Sequence, residues 1–172
     1  MSPEATILVT GVGGTWGARV AARLVREAGL HVIGLDSKPS AEAIEGLDFV
    51  MADVRNPLLG ELLRTEQVDT VCHLAFVETI RPSEAAFDLN VTGTTNVLDA
   101  CAGAGVRKTV LKSSTAVYGA RPSNDAFLTE GHALRGSKRS GTIRDLMEIE
   151  AFCRSFSQRT PQPAVTILRF AS

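Results

Sequence analysis

The stretch TGVGGTWG, residues 10–17, spaces Gly11, Gly14 and Gly17 as G-x-x-G-x-x-G. The stricter G-x-G-x-x-G spacing fails because Trp16 occupies its last glycine position. Between a strand and a helix, the first glycine permits a tight turn and the second lets backbone approach a pyrophosphate. The third lets helix and strand pack closely. Thr15 and Trp16 would open the helix, whose N-terminal N–H groups carry a partial positive charge suited to phosphates. Ligand-free strand-to-helix turns use glycine too, so the flanking elements have to decide. Asp36 lies 25 residues after Gly11. A carboxylate there can accept hydrogen bonds from both ribose hydroxyls of an adenosine and would repel the 2′-phosphate of NADP, so NAD is the expected cofactor. The alternative is a solvated acid at a strand end.

The elements that must position these groups alternate along the chain. ATILVT (5–10) reads as a first strand, followed by a helix from about Trp16 to Ala28, stopped by Gly29. HVIGLD (31–36) and DFVMAD (48–53) are the second and third strands. Asn56-Pro57 reads as an N-cap followed by the first helical residue. DTVCHLA (69–75), a long helix over 82–104 and RKTVLKSS (107–114) come next. Residues 120–141 carry Gly, Pro, Ser and charge without periodicity, the signature of a functional lid or a disordered segment. A last helix then carries Leu146, Ile149, Phe152, Cys153 and Phe156 at helical spacing, and AVTILRF (164–170) is a sixth strand. Strands alternating with helices predict an α/β domain spanning residues 1–172, with a parallel sheet covered on both faces.

Composition narrows the function classes. Hydrophobic residues are 44% and charged ones 22%, ordinary for a globular protein. A formal charge of −1 gives no global attraction to nucleic acid or to an anionic membrane. The apolar runs are too short to span a bilayer, and no signal peptide precedes the first strand. Cys72, Cys101 and Cys153 lack metal-ligand spacing and sit in apolar segments, which reads as reduced, mostly buried thiols in a cytoplasmic protein.

Further motifs follow the glycine loop in a fixed order: Asp53-Val54, His73-Leu74-Ala75 with Phe76 after it, NVTGTTN (90–96) and SSTAVYG (113–119). With the loop they resemble the extended short-chain dehydrogenase/reductase family, the NAD-dependent epimerases and dehydratases, and within it the nucleotide-sugar epimerase-like branch. The resemblance runs from Thr10 to the last residue. It implies a Rossmann-type doubly wound sheet of six strands in the order 3-2-1-4-5-6, with NAD crossing the C-terminal ends of strands one and four. It implies that Asp53 and Val54 meet the adenine, that Leu74, Ala75 and Phe76 line the cofactor, and that Asn90 belongs to the cofactor site. Ser114, four residues before Tyr118, matches the family's catalytic serine or threonine, which polarises a substrate oxygen. The two long helices resemble those by which the family dimerises, so a homodimer is expected, with a nucleotide sugar as the small-molecule partner. Simpler readings stand beside these. Asp53 could help start the helix at Pro57, His73 reads better as a core histidine bonding backbone than as a catalyst, Asn90 and Asn96 could satisfy local backbone, and Ser113 and Ser114 could merely end a strand.

Two departures qualify the resemblance. The family needs Tyr-x-x-x-Lys on the helix after Ser114, and aligning TIRDLMEIE (142–150) puts Thr142 and Leu146 at those places. The only tyrosine, Tyr118, is followed four residues on by Pro122. Glu148, Asp145 and the charged loop residues are the remaining acid–base candidates. The family also continues past the sixth strand into a substrate-binding portion that this sequence does not contain. Two function classes follow: an epimerase/dehydratase with impaired or altered hydride chemistry, or a non-catalytic NAD-binding sensor or assembly module.

Overall fold

The computed structural model describes residues 4–171. Six parallel strands form one sheet in the order β3-β2-β1-β4-β5-β6, the order expected from the sequence. They are β1 (Ala5–Thr10), β2 (Leu30–Asp36), β3 (Asp48–Met51), β4 (Thr70–His73), β5 (Lys108–Ser114) and β6 (Ala164–Phe170). Thr10 pairs with Leu35 on one side and His73 on the other, so the C-terminal ends of β1, β2 and β4 lie level. The strand order reverses between β1 and β4, where crossovers depart to opposite faces and leave a crevice.

Period-two alternation sorts the inner strands onto two covered faces. Leu8, Ile33, Leu35 and Val71 pack with Leu59 and Leu63 of α2 (Leu59–Thr65) and with Val97 and Cys101 of α4 (Gly93–Ala104). Val9 and Val32 face the other way, onto Ala21 of α1 (Thr15–Leu24). Full burial of aliphatic side chains such as these is worth roughly 1.5–3 kcal/mol each. At the far end of the sheet Leu111 meets Leu98, Ile149, Cys153 and Phe156, which docks α5 (Gly141–Arg159). β6 is an edge strand that alternates between half-buried and exposed residues. Its Leu168 and Phe170 are 45% and 40% exposed. All three cysteines are free thiols, with Cys101 and Cys153 buried and Cys72 half-buried.

Element ends differ from the sequence reading for local reasons. β3 stops at Met51, because Asp53 turns the chain by accepting the Arg55 and Asn56 N–H groups. α2 begins at Leu59, since Asn56 accepts the Leu58 N–H with Oδ1 and the Leu59 N–H with its carbonyl in a turn ahead of the helix. β4 stops at His73, because the Leu74 and Ala75 N–H groups leave the ladder for the Thr10 hydroxyl. α1 ends at Leu24, with Glu27 and Gly29 (φ +81°) turning the chain into β2. The long helix of 82–104 begins at Glu84 with a Ser83 cap and runs as α3 (Glu84–Phe87), a π-helical turn (Asp88–Thr92) and α4. Residues 120–140 fold back on the domain: the Arg135 and Gly136 N–H groups donate to the Val117 carbonyl, and Asn124 donates to that of Gly119.

Candidate functional site

The glycine loop joins β1 to α1 under tight steric control. Gly11 has φ +80°, and a Cβ there would lie 2.5 Å from the Ala75 nitrogen. A Cβ at Gly17 would lie 2.1 Å from the Gly11 carbonyl oxygen, so no side chain fits either position. Gly14 caps α1, and the first helical N–H taken up within the helix is that of Ala18, by the Gly14 carbonyl at 3.0 Å. The preceding N–H groups, those of Thr15, Trp16 and Gly17, belong to the unsatisfied first turn, and that turn contains no acid. Asp36 Oδ2 accepts the Gly13 N–H at 2.9 Å, and Oδ1 accepts the Lys38 N–H at 3.2 Å. The acid at the end of β2 is thereby tied to the loop after β1.

Two cavities open along the C-terminal ends of the strands, each of about 330 Å³. Gly11, Gly14, Asp36, Asp53, Val54, Leu74 and Ala75 line the first. Trp16, Ser114, Thr142, Leu146 and Phe170 line the second. Phe76 lines both and stands between them. Of the cofactor residues expected from sequence, Thr15, Gly17 and Asn90 line neither. Asp53 is held by Arg55, whose guanidinium lowers the carboxyl's pKa through hydrogen bonds, and Arg55 also reaches Asp88.

Asn90 is fully buried in the π-helical turn. Its Oδ1 accepts the Val77 N–H at 2.8 Å, and its Nδ2 donates to the Val77 carbonyl at 2.9 Å and to Asp145 Oδ2 at 2.9 Å. It therefore braces the segment that walls the cavities, without entering either one. His73 is a core histidine, but it bonds hydroxyls where the sequence suggested backbone. Thr10 Oγ1 accepts the Leu74 and Ala75 N–H groups and so turns its own hydrogen to His73 Nδ1 at 2.7 Å. His73 Nε2–H then donates to Thr94 Oγ1 at 3.0 Å, and Thr94 donates to the Asn90 carbonyl at 2.5 Å. Burial lowers the imidazole pKa to about 4, keeping it neutral within this chain.

Ser114 Oγ accepts the Ala116 N–H at 3.1 Å, and its own hydrogen has no acceptor among the described residues. Thr142 is differently placed: Oγ1 accepts the Thr79 N–H at 2.8 Å and donates to the Thr79 carbonyl at 3.1 Å. Leu146 is 5% exposed and Tyr118 7%. The Tyr118 hydroxyl accepts from Arg169, which also pairs with buried Glu150, and Glu150 accepts from Ser113 at 2.6 Å. Asp145 is fully buried against Arg144 and Asn90, while Glu148 lies outside against Lys138 at 3.8 Å. Neither of these acids lines the second cavity. The sequence reading did not single out Glu150 as buried, although positions 146, 149, 150 and 153 share one helix face. It also passed over Lys112, which strand periodicity puts on the Ser114 face.

Comparison with known proteins places this arrangement. The chain is 36% identical over 175 residues to an uncharacterized protein of Mycobacterium tuberculosis, an alignment covering 96% of this chain and 46% of that protein. It is 31% identical over 131 residues to a UDP-glucose 4-epimerase of Klebsiella pneumoniae, covering 67% of this chain and 94% of that one. A crystal structure of a short-chain dehydrogenase/reductase superfamily protein from Agrobacterium tumefaciens with bound NAD superimposes with a TM-score of 0.80 at 32% identity. That superposition covers 96% of this chain and 48% of the other. The chain thus spans about half the length of the mycobacterial and Agrobacterium proteins. Residues 7–158, which run from β1 through the glycine loop and most of α5 and include every residue lining the first cavity, match the sequence model of one family. On that match the chain belongs to the NAD-dependent epimerase/dehydratase family.

Proposed function

We propose that the paired cavities bind NAD(H), and that the chain is the dinucleotide-binding part of a nucleotide-sugar epimerase/dehydratase-type protein with impaired or altered hydride chemistry. The joint between Gly11, Gly17 and Asp36 carries this reading. Gly11, which admits no Cβ, and a carboxylate fixed by the Gly13 N–H line one cavity, and Gly17, which also admits none, packs the helix N-terminus against that loop. That arrangement fits a pyrophosphate next to an adenosine ribose. The N–H groups around Gly14, Thr15, Trp16 and Gly17 would face the pyrophosphate, Asp36 the ribose hydroxyls, and Asp53 and Val54 the adenine. Leu74, Ala75 and Phe76 would guide the dinucleotide toward the second cavity, with Asn90 holding their segment from behind. Asp36 favours NAD over NADP by charge.

Bound there, the dinucleotide would supply reversible hydride transfer. Ser114 offers a hydroxyl hydrogen to a substrate oxygen in the second cavity. Thr142 offers no mobile proton, because its hydroxyl is engaged at both ends by Thr79. Loss of a positioned acid–base group lowers a rate by roughly 10²–10⁴. The Klebsiella relative supports the nucleotide-sugar assignment. The long helices support a homodimer by family resemblance. A non-catalytic NAD sensor or assembly module is the second reading, favoured by the closed Thr142–Thr79 contact and by an apolar Leu146.

Trp16 is the only tryptophan and lies in the phosphate loop, so NAD should quench its emission. Flat fluorescence together with a null calorimetric titration at millimolar NAD would remove the dinucleotide reading. Asp36→Ala should shift the affinity ratio toward NADP, and an unchanged ratio would sink the role given to that acid. Tight NAD binding without turnover in a longer form that includes a substrate portion would favour the second reading.

A further inference from the structure

Among the described residues that line the second cavity, Glu78 and Lys112 alone are ionisable. Lys112 stands two residues before Ser114 on β5, so both project from the same face of the strand. Its side chain is 19% exposed, and Nζ donates to Glu78 Oε1 at 3.1 Å. Nζ also sits 5.2 Å from the centroid of the Trp16 ring, which in turn meets the Phe170 ring at 5.4 Å. These contacts hold the ammonium against Trp16 of the glycine loop, in the cavity that Ser114 and apolar Leu146 also line. Glu78 is 67% exposed, so water screens it more than it screens the lysine.

We infer that Lys112 is the cation this cleft presents to the nicotinamide half of a bound dinucleotide, supplied from β5 where α5 offers only Leu146. The inference rests on the dinucleotide reading above and extends it to a preference between redox forms. The oxidised nicotinamide ring carries a positive charge and the reduced ring carries none. A fixed ammonium in the same cavity therefore disfavours the oxidised form by Coulomb repulsion, and Glu78 partly offsets it. NADH is held more tightly than NAD⁺ as a result.

Calorimetric dissociation constants for NAD⁺, NADH and ADP, measured on the wild type, Lys112→Met and Glu78→Gln, test this. The ratio of the NAD⁺ constant to the NADH constant should fall about three- to tenfold in Lys112→Met. It should rise in Glu78→Gln, while ADP, which lacks the nicotinamide half, binds all three proteins alike. An unchanged ratio in a Lys112→Met protein that still binds ADP overturns the assignment and leaves the dinucleotide reading standing. Tighter binding of both forms by Lys112→Met also overturns it, the lysine then being an obstacle. If Lys112→Met does not fold, Glu78→Gln decides alone, and a ratio that does not rise is fatal. A wild-type chain that binds neither ADP nor NAD(H) removes this inference and the dinucleotide reading together.

Discussion

Thr142 concentrates the residue-scale question, because a hydroxyl at that place has two possible employers. Its geometry gives it to the backbone: one lone pair and its only hydrogen meet the two ends of Thr79. Thr142→Ala should therefore cost about 1–2 kcal/mol of stability through two lost hydrogen bonds. It should leave NAD affinity and any weak activity nearly unchanged. If the change instead abolishes robust parental turnover, the threonine handles a proton and this account is wrong. The converse experiment adds the missing groups. In a longer form that includes a substrate portion, Thr142→Tyr with Leu146→Lys should raise hydride transfer at least about tenfold. The absence of a tyrosine and lysine was legible from the sequence, since the chain has a single tyrosine and it lies elsewhere. What the hydroxyl does instead was not, because Thr79 is 63 residues away and no pattern links the two.

At the scale of elements, the strands and their order were readable and their ends were not. Short apolar runs between turn residues gave all six strands, and the four inner ones have the stronger local signature because they are covered on both faces. β4 ends early because a hydroxyl on β1 captures two of its successor's N–H groups, a contact that exists only after the sheet forms. The π-helical turn is similar. Asn90 faces Val77 and Asp145 at once, so it reaches the wall of the first cavity only through Val77, whereas family resemblance put it in the cofactor site itself. Asn90→Ala would strip the Val77 backbone of its partner and leave the buried Asp145 carboxylate one donor short. The expected loss is about 2–4 kcal/mol in urea unfolding. A loss below about 1 kcal/mol would mean that water replaces the amide. Buried Glu150 escaped a reading that followed the apolar stripe of α5, although it lies on that stripe.

At the scale of the molecule, acid stability follows from the buried imidazole. The folded-state pKa of His73 is lowered from 6.5 to about 4, so between those values the unfolded chain binds more protons than the folded one. Stability then rises with pH across the window and falls as pH drops from 6.5 toward 4, by roughly 3 kcal/mol in all. Urea midpoints measured from pH 7 down to 4.5 should show that slope, and His73→Gln should flatten it. An equal slope in the variant would assign the acid sensitivity to carboxylates. No helix among the described residues is long and apolar enough to cross a membrane. Light scattering at tens of micromolar should give the mass of a dimer, and a monomeric mass would count against the proposed assembly. Across the sheet, the bonded series from Thr10 through His73, Thr94 and Asn90 to Asp145 leaves no slack between the loop after β4 and the first turns of α5. Amide protons at 75–77 and at the start of α5 should therefore exchange with deuterium as one cooperative unit. Disturbing Thr94 should speed exchange at both ends of that unit while the amides of β2 keep their protection.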